Sequence, residues 1–589
     1  MASSIYTNNL ETDGYPTTGI DLPVAAWTTG FQANPNVEFI QQTDWSGGLY
    51  QKLFPVERRM AESPLLSNMA WEGNCWTANG YEIRAGPLRT AAGGTAITAA
   101  AVQFFAEFNN LLYFASGAKK YSIAAGNPSE VDAGGSATVT DIKVIDDKLV
   151  VCLGTISTNV VRQFGGSSWS AGTYCARTVA FVDTTKYWAS NPTSGSPASY
   201  LYWGSGAGQK KRISKQNVPI TQLVEFDEQL FIFKADGIWV WIDAALKSYR
   251  LQSLPYDTNN GVAHAMYNDC LYFSSGQGLH VFRGTGPSES VPLPELLNPA
   301  QIGKVYSIQS VDKALLIGFK GFAYLMFEDP NEPGVYYWHY IAANSGKTFR
   351  DIYYTNTLTS MARPRIFFAF STDSTNNIQY IEFVDEQFVP YEYAASSYTI
   401  FPGLYTGPEM FDMWVKNILC GTRNCDANKK ITFAWSINPF DTSPTWTDIG
   451  SPVTGNGFQT VTPTADVEGN IIWLRITIIT NVTTTSPILD FYRVRYYPRD
   501  PAKRTWSFPV LMEKGGSYAA GGRQISIDTV ETALYNARNQ TSPCLLNIPS
   551  QDVTDVKVFV DIRYNARRAD ARRDEITGEI FTLICQEAV

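Results

Sequence analysis

The chain has 589 residues and a formal net charge of −9, with 44% apolar and only 17% charged residues, against a usual charged share of about 25%. That length exceeds what one hydrophobic core organises, and the small acidic excess excludes a chain whose main task is gripping phosphate backbones. Eight cysteines are too sparse for a disulfide framework.

Residues 1–60 read as an extended N-terminal arm, because "TTGIDLPVAAWTTGFQANPNVEF" places Gly, Pro or Asn every few positions. The start, "MASSIYTNNLETDGYPTTG", has neither a basic opening nor an apolar segment, so synthesis in a cytoplasm without a signal peptide is expected. No apolar run approaches the roughly 20 residues that span a bilayer.

Residues 61–398 carry a repeat. "FDEQLFIFKADGIWVW" from Phe226 has the form of a hairpin, two short apolar runs around Asp-Gly. The same form returns in "NNLLYFASGAKKYSI" from Asn109, "DDKLVVCLG" from Asp146, "NDCLYFSSGQGLHVF" from Asn268 and "DKALLIGFKGFAYLMF" from Asp312. In each, an Asn/Asp-containing turn precedes a leucine and an apolar strand. The marker leucines, Leu112, Leu149, Leu230, Leu271 and Leu315, lie 37, 81, 41 and 44 residues apart by subtraction, the 81 being two periods. A period near 40 residues with about four short strands is the form of a β-propeller blade, and about seven blades fit the span. The missing copy is expected in "TKYWASNPTSGSPASYLYWGSG", and a last one in "RPRIFFAFSTDSTNNIQYIEF" from Arg363. A pair of β-sandwiches with similar hairpin spacing is the alternative.

Residues 399–499 read as a β-sandwich. In "IIWLRITII", Ile472, Leu474, Ile476 and Ile478 alternate with Trp473, Arg475 and Thr477, the pattern of a strand with one face buried. Residues 500–589 read as a small α+β domain. "SIDTVETALYNARNQ" offers a capping-box-like helix start at Asp528 and Glu531. Two strands, "VKVFVDIRYN" and "EIFTLICQEA", flank the charged insert "ARRADARRDEITG". The fold class expected is therefore all-β and multidomain, with a propeller, a sandwich and a small α+β C-terminal domain.

Chemistry is harder to find. His264, His280 and His339 stand apart from any ligand spacing, so neither metal nor cofactor is expected and no catalytic residue is assigned. Cys420 and Cys425 in "CGTRNC" suit a local disulfide or two free thiols better than a metal site. "GKT" at Gly346 to Thr348 copies the end of a phosphate-binding loop, but Ile341 stands where the leading glycine belongs and no helical pattern follows; a β-turn is the simpler reading. The acidic pairs Asp227/Glu228, Glu328/Asp329 and Asp385/Glu386 could serve glycoside hydrolysis only if two carboxylates faced each other across about 5 to 10 Å. Such pairs ordinarily hydrogen-bond turns. Trp435, Trp446 and Trp473 are the candidate carbohydrate contacts, against a core or interface role. Arg567, Arg568, Arg572 and Arg573, in "RYNARRADARRDEITGE", are candidate subunit-interface residues able to pair with carboxylates of a neighbour, the alternative being a solvated loop.

The marker copies "NDCLYFSSGQGLHVF" and "FDEQLFIFKADGIWVW", with "SPTWTDIGSPV" and "TSPILDFYRVRYYPRDPAKRTWSFPVLME", resemble bacteriophage tail proteins that join a β-propeller to a β-sandwich, over most of residues 61–511. The resemblance implies a non-enzymatic virion structural protein, located in the tail as a six- or threefold homo-oligomer. It would serve as tube extension, hub or platform for receptor-binding proteins. The expected partners are itself and other phage tail proteins, with host surface polysaccharide as a further contact and no specific nucleic-acid binding. The alternatives are a propeller glycosidase or carbohydrate-binding protein acting on that polysaccharide, and a cytosolic propeller scaffold.

Overall fold

A computed structural model describes residues 72–93 and 101–498 with short gaps, Trp45, and the strand segments 8–11, 20–22, 38–42, 505–513, 544–548, 553–570 and 575–587. Every named element among the described residues is a β-strand. The expected helix at 526–540 lies outside the described residues.

The repeat is a β-propeller. Five four-stranded antiparallel sheets follow in chain order over residues 102–132, 141–171, 178–212, 220–253 and 264–290, each with its strands in sequence order. A seven-stranded sheet then spans 307–382. Its long strand Tyr336–Thr355 pairs through its first half with Lys320–Glu328 and through its second half with Arg365–Phe370, so two four-stranded units share it. The outermost strand of the last unit comes from upstream of the first: Thr90–Ala91 pairs with Gln379–Tyr380.

Sheets stacked face to face explain why the middle strands read as unbroken apolar runs rather than alternating ones. In Gln229–Lys234 and Gly237–Ile242 nearly every side chain is buried, because both faces meet a neighbouring sheet. The outer strands Gln209–Arg212 and Lys247–Ser253 are mostly exposed and polar. Apolar clusters join consecutive units. Leu230 and Trp241 pack with Leu201 and Trp203 of the unit before, and Phe231 and Val240 with Leu271 and Phe273 of the unit after. Val102 and Phe114 of the first unit pack with Phe367 and Ala369 of the last, which closes the ring.

The five marker leucines each occupy the second position of the second strand in their sheet and are at most 2% exposed. Before four of them comes a two-residue turn with both residues at positive φ: Asn109–Asn110, Asp146–Asp147, Asp227–Glu228 and Asn268–Asp269. This is the geometry of a type I′ hairpin turn, whose twist matches the strands, and Asn and Asp tolerate it better than other side chains. The expected missing copy is the unit 178–212, where Lys186 takes the marker position.

The sandwich and C-terminal unit differ from the linear order expected. One sandwich sheet runs Glu38–Gln42, Ile488–Pro498, Met413–Arg423, Gly457–Val461, with Glu468–Gly469 also on Met413–Arg423. The other runs Thr447–Asp448, Lys429–Ser436, Trp473–Thr480, Ser396–Ile400, Glu72–Gly73. The propeller is therefore inserted between two strands of the sandwich, Glu72–Gly73 and Ser396–Ile400. A six-stranded sheet in turn combines Ile20–Leu22 and Asn8–Glu11 with Cys544–Ile548, Val553–Asp570, Glu575–Glu587 and Thr505–Glu513.

Three expectations are thus corrected. The N-terminal arm supplies strands to both C-terminal sheet systems, and its Trp45, 2% exposed, sits in the sandwich core beside Phe401 and Tyr492. The propeller strands begin at Thr90 and end at Glu382, inside the expected 61–398. The charged insert is largely strand, since Val553–Asp570 and Glu575–Glu587 stay paired out to Asp570 and Glu575. Charge density alone did not signal this extended pairing.

Leu230 bridges two units, so Leu230→Ala should cost about 2–5 kcal/mol. Chemical denaturation should show this as a lowered midpoint of the propeller transition; an unchanged midpoint would count against the inter-unit role given to the marker leucines.

Candidate functional site

Polar side chains on the first strands of the units form one cluster. The first strand of each unit turns its edge toward the axis, and polar side chains there reach from one unit to the next. The Thr178 hydroxyl donates to Asp141 Oδ2 at 2.7 Å and lies against Gln222 Oε1, linking the second, third and fourth units. Ser307 Oγ donates to Asp351 Oδ1 at 2.8 Å and accepts from the Ile352 amide at 2.9 Å. The Phe105 amide donates to Asp351 Oδ2 at 2.5 Å, so Asp351, on the first strand of the last unit, ties that unit back to Ser307 of the sixth and forward to the first across the seam where the ring closes. Lys143 Nζ reaches from the second unit to the Leu223 carbonyl of the fourth at 2.8 Å and stands 3.6 Å from Asp141 Oδ2. His264 Nδ1 donates to the Gly261 carbonyl at 3.1 Å.

Asp351, Lys143 and His264 are neither fully enclosed nor exposed. Desolvation raises the Asp351 carboxyl to about 6, against its three hydrogen bonds and with a further push from Asp141. Desolvation, then the Lys143 charge, lowers His264 to about 3, and its bonds to Val262 and Gly261 offset only part of this. At neutral pH the axis thus holds an ionised Asp351 and a neutral His264. Asp351 and Lys143 are occupied in joining units and His264 bonds the segment just before it, and among the described residues no three His, Cys, Asp or Glu side chains are placed to hold a metal ion.

A second polar cluster joins the fifth and sixth units. Glu328, buried, accepts from Tyr272 Oη at 2.7 Å, from the Gly334 amide at 3.1 Å and from Arg283, which also donates to Tyr336 Oη at 3.0 Å. Burial, and the bond to Glu328, push the Tyr272 phenol far above its ordinary range; burial raises Tyr336 to about 12. Neither phenol is an activated nucleophile. Arg283 also borders an open cavity of about 570 Å³ among the turns, lined by Asp227, Met266, Asn268 and Asp269.

The residues singled out from sequence are dispersed. Trp435 continues the core-facing row of Ile431 and Phe433 and packs on the sandwich core. Trp446 lies under the Arg475 guanidinium, 4.8 Å from the ring centre, and half-buried Trp473 shares the outer face with Arg475. The expected alternation holds: Ile472, Leu474, Ile476 and Ile478 are buried. Arg567 and Arg568 fall opposite Glu579 and Gly578 on the hairpin; Arg572 and Arg573 lie outside the described residues. Asp227 and Glu228 form a turn, Asp329 accepts from Tyr337 Oη at 2.6 Å, and Asp385 and Glu386 lie outside the described residues. Gly346, Lys347 and Thr348 sit within the strand Tyr336–Thr355, with no helix after them. His280 stacks on Phe273, and His339 Nδ1 is 2.9 Å from Thr77 Oγ1. Cys420 and Cys425 are free and buried, and desolvation raises Cys420 to about 12. Sequence reasoning missed Asp141, Lys143, Thr178, Gln222, Ser307 and Asp351. Their equivalence across copies, each a few residues before the hairpin turn, is the signal that could have found them.

No family model and no curated protein matches the chain. Among solved structures it is similar to the extracellular domain of a hybrid two-component system, BT4673, from B. thetaiotaomicron, with 12% identity and a TM-score of 0.37, over 64% of this chain and 47% of that one. The chain thus spans about half the length of that neighbour. It is also similar to the WD40 domain of Neurospora crassa Pan2, with 9% identity and a TM-score of 0.35, over 50% of this chain and 94% of that one. BamB from Moraxella catarrhalis matches with 10% identity and a TM-score of 0.30, over 51% of this chain and 90% of that one. These likenesses concern the fold alone. No helix of the described residues is long and apolar enough to cross a membrane.

Asp351 and His264 pull stability in opposite directions with pH. Asp351 binds a proton more tightly folded than unfolded, so its contribution grows as pH falls from about 6 to about 4. His264 resists protonation when folded, so stability is lost as pH falls below about 6.5. Asp351→Asn should therefore steepen the loss of thermal stability between pH 6.5 and 4, and His264→Gln should flatten or reverse it. Melting curves across that range check both; parallel curves for wild type and both variants would contradict the assignment.

Proposed function

We propose that this protein is a structural component of a bacteriophage tail, a seven-bladed propeller nested in a sandwich, assembling as a homo-oligomer and working without catalysis. The observation that carries the reading is the use made of the propeller's buried polar groups. Asp141, Asp351, Glu328, Thr178 and Ser307 join one unit to the next, and Lys234 donates to the Ile213 carbonyl and Ser214 Oγ in the segment leading into its own blade. A propeller spending its ionisable groups on rigidity suits a load-bearing part. The seven-blade count takes each four-stranded unit as a blade, with the shared strand Tyr336–Thr355 entering two.

The sequence resemblance to propeller-plus-sandwich tail proteins supplies the setting. The low charge supports assembly, because faces poor in ions associate without stranding charge. We place the self-contact on the hairpin Val553–Asp570 with Glu575–Glu587, where Arg567 and Arg568 fall opposite Glu579 and Gly578 near its distal end, because guanidinium groups pair well with carboxylates.

Virions purified from a lysate should contain the chain in several copies per particle, with electron microscopy of antibody-labelled particles placing it on the tail. Joint replacement of Arg567, Arg568, Arg572 and Arg573 by Ser should preserve folding and abolish assembly. Absence from virions, or robust polysaccharide hydrolysis by the isolated chain, would overturn the reading.

A further inference from the structure

On the outer face of the first sandwich sheet, an exposed aromatic ring stands beside a set of polar groups that the fold does not use up. Phe458, on the edge strand Gly457–Val461, is 78% exposed, more than any other large hydrophobic residue described. Its strand neighbour is Gly421, and beyond Gly421 comes Phe491. The two rings lean together over the glycine, with centroids 5.7 Å apart. A Cβ at Gly421 would stand 2.4 Å from Phe491 Cε1, so the glycine is what lets the ring lie down on the sheet.

These residues line an open cavity of about 420 Å³. At one end Arg423 Nε donates to both oxygens of Asp490, at 3.1 and 3.0 Å, and Nη2 donates to Glu82 at 2.7 Å. Nη1 has no partner among the described residues. Asn424, held at φ +58°, and the amide nitrogen of Asn456 likewise make no hydrogen bond among the described residues, while Asn456 Oδ1 accepts from the Cys425 amide at 2.8 Å. The lining carries one positive and one negative charge, Arg423 and Asp490, which cancel.

We propose that this slot is a binding site for a neutral sugar residue of a polysaccharide. A pyranose ring offers a C–H face that stacks on an aromatic ring and a rim of hydroxyls that both donate and accept. The slot supplies the ring in Phe458, planar donors in Arg423 and Asn456, and an amide able to do either in Asn424. Its cancelled charge favours a neutral sugar over an acidic one. The volume suits one or two rings. The site lies apart from Trp435, Trp446 and Trp473, which belong to the other sheet or the segment beside it. It stands on the geometry of the sandwich and is independent of the tail assignment.

The test is saturation-transfer-difference NMR on the full chain with glucose, galactose and N-acetylglucosamine, and with N-acetylneuraminic acid as the acidic comparison. Transfer is expected to the ring protons of at least one neutral sugar and not to the acidic one. Phe458→Ala should weaken binding roughly tenfold or more, whereas Phe458→Tyr should retain it. Because Phe458 is exposed, the alanine variant should keep its melting temperature, which separates a lost site from a lost fold. Gly421→Ala, which displaces Phe491, should also weaken binding. Absence of transfer from all three neutral sugars would overturn the proposal, as would transfer that survives Phe458→Ala. A Phe458→Ala variant that changes only the oligomeric mass in light scattering would assign the face to contact between copies and overturn it equally.

Discussion

Every sheet in this chain has edges, and the satisfaction of those edges organises the molecule. An unpaired strand edge exposes a row of amide and carbonyl groups that invites uncontrolled association. Here strands remote in sequence supply pairing: Thr90–Ala91 completes the last propeller unit, Glu38–Gln42 and Glu72–Gly73 extend the two sandwich sheets, and Asn8–Glu11 extends the C-terminal sheet. The three sheet systems are therefore nested, with each outer one enclosing the chain segment of the next. Such pairing has high contact order, so loop-closure entropy must be met before its contacts form, and folding should be slow.

Within the propeller, apolar burial between sheets supplies the gross stabilisation, and the polar groups near the axis decide register and closure. At about 25 cal/mol per Å² of apolar surface, the large aromatic clusters outweigh any single hydrogen bond, which contributes about 1 kcal/mol net. The axial groups still matter because a buried carboxylate without donors would cost several times more. Asp351 shows the balance: three donors keep it in place, and desolvation nevertheless raises it to about 6. The neutral His264 beside Lys143 follows from the same low-dielectric surroundings.

The repeat was legible because its signal is local. A left-handed two-residue turn selects Asn and Asp, and the leucine that follows is buried at an equivalent place in five units. The third unit hid because Lys186 stands in the marker position, and the sandwich strand Trp473–Thr480 was legible because one face is core and the other is not. What escaped depends on pairing at long range. Nothing in "EFIQQ" announces that it lies against Tyr492–Tyr496, and nothing near Trp45 announces burial beside Phe401. Candidate sites escaped for a related reason. Tryptophan and arginine draw attention in a sequence, whereas the axial Asp351 and the slot at Phe458 arise from ordinary residues that topology brings together.

The central claim, that upstream strands close the sheets of downstream units, is tested most directly by hydrogen–deuterium exchange on the intact chain. The amides of Glu38–Gln42 that face Tyr492–Tyr496 should be protected, exchanging over hours rather than seconds at neutral pH, while the alternate amides on the open edge exchange faster. Exchange of every amide of Glu38–Gln42 within seconds, while Tyr492–Tyr496 stays protected, would show a free arm and contradict the nested architecture.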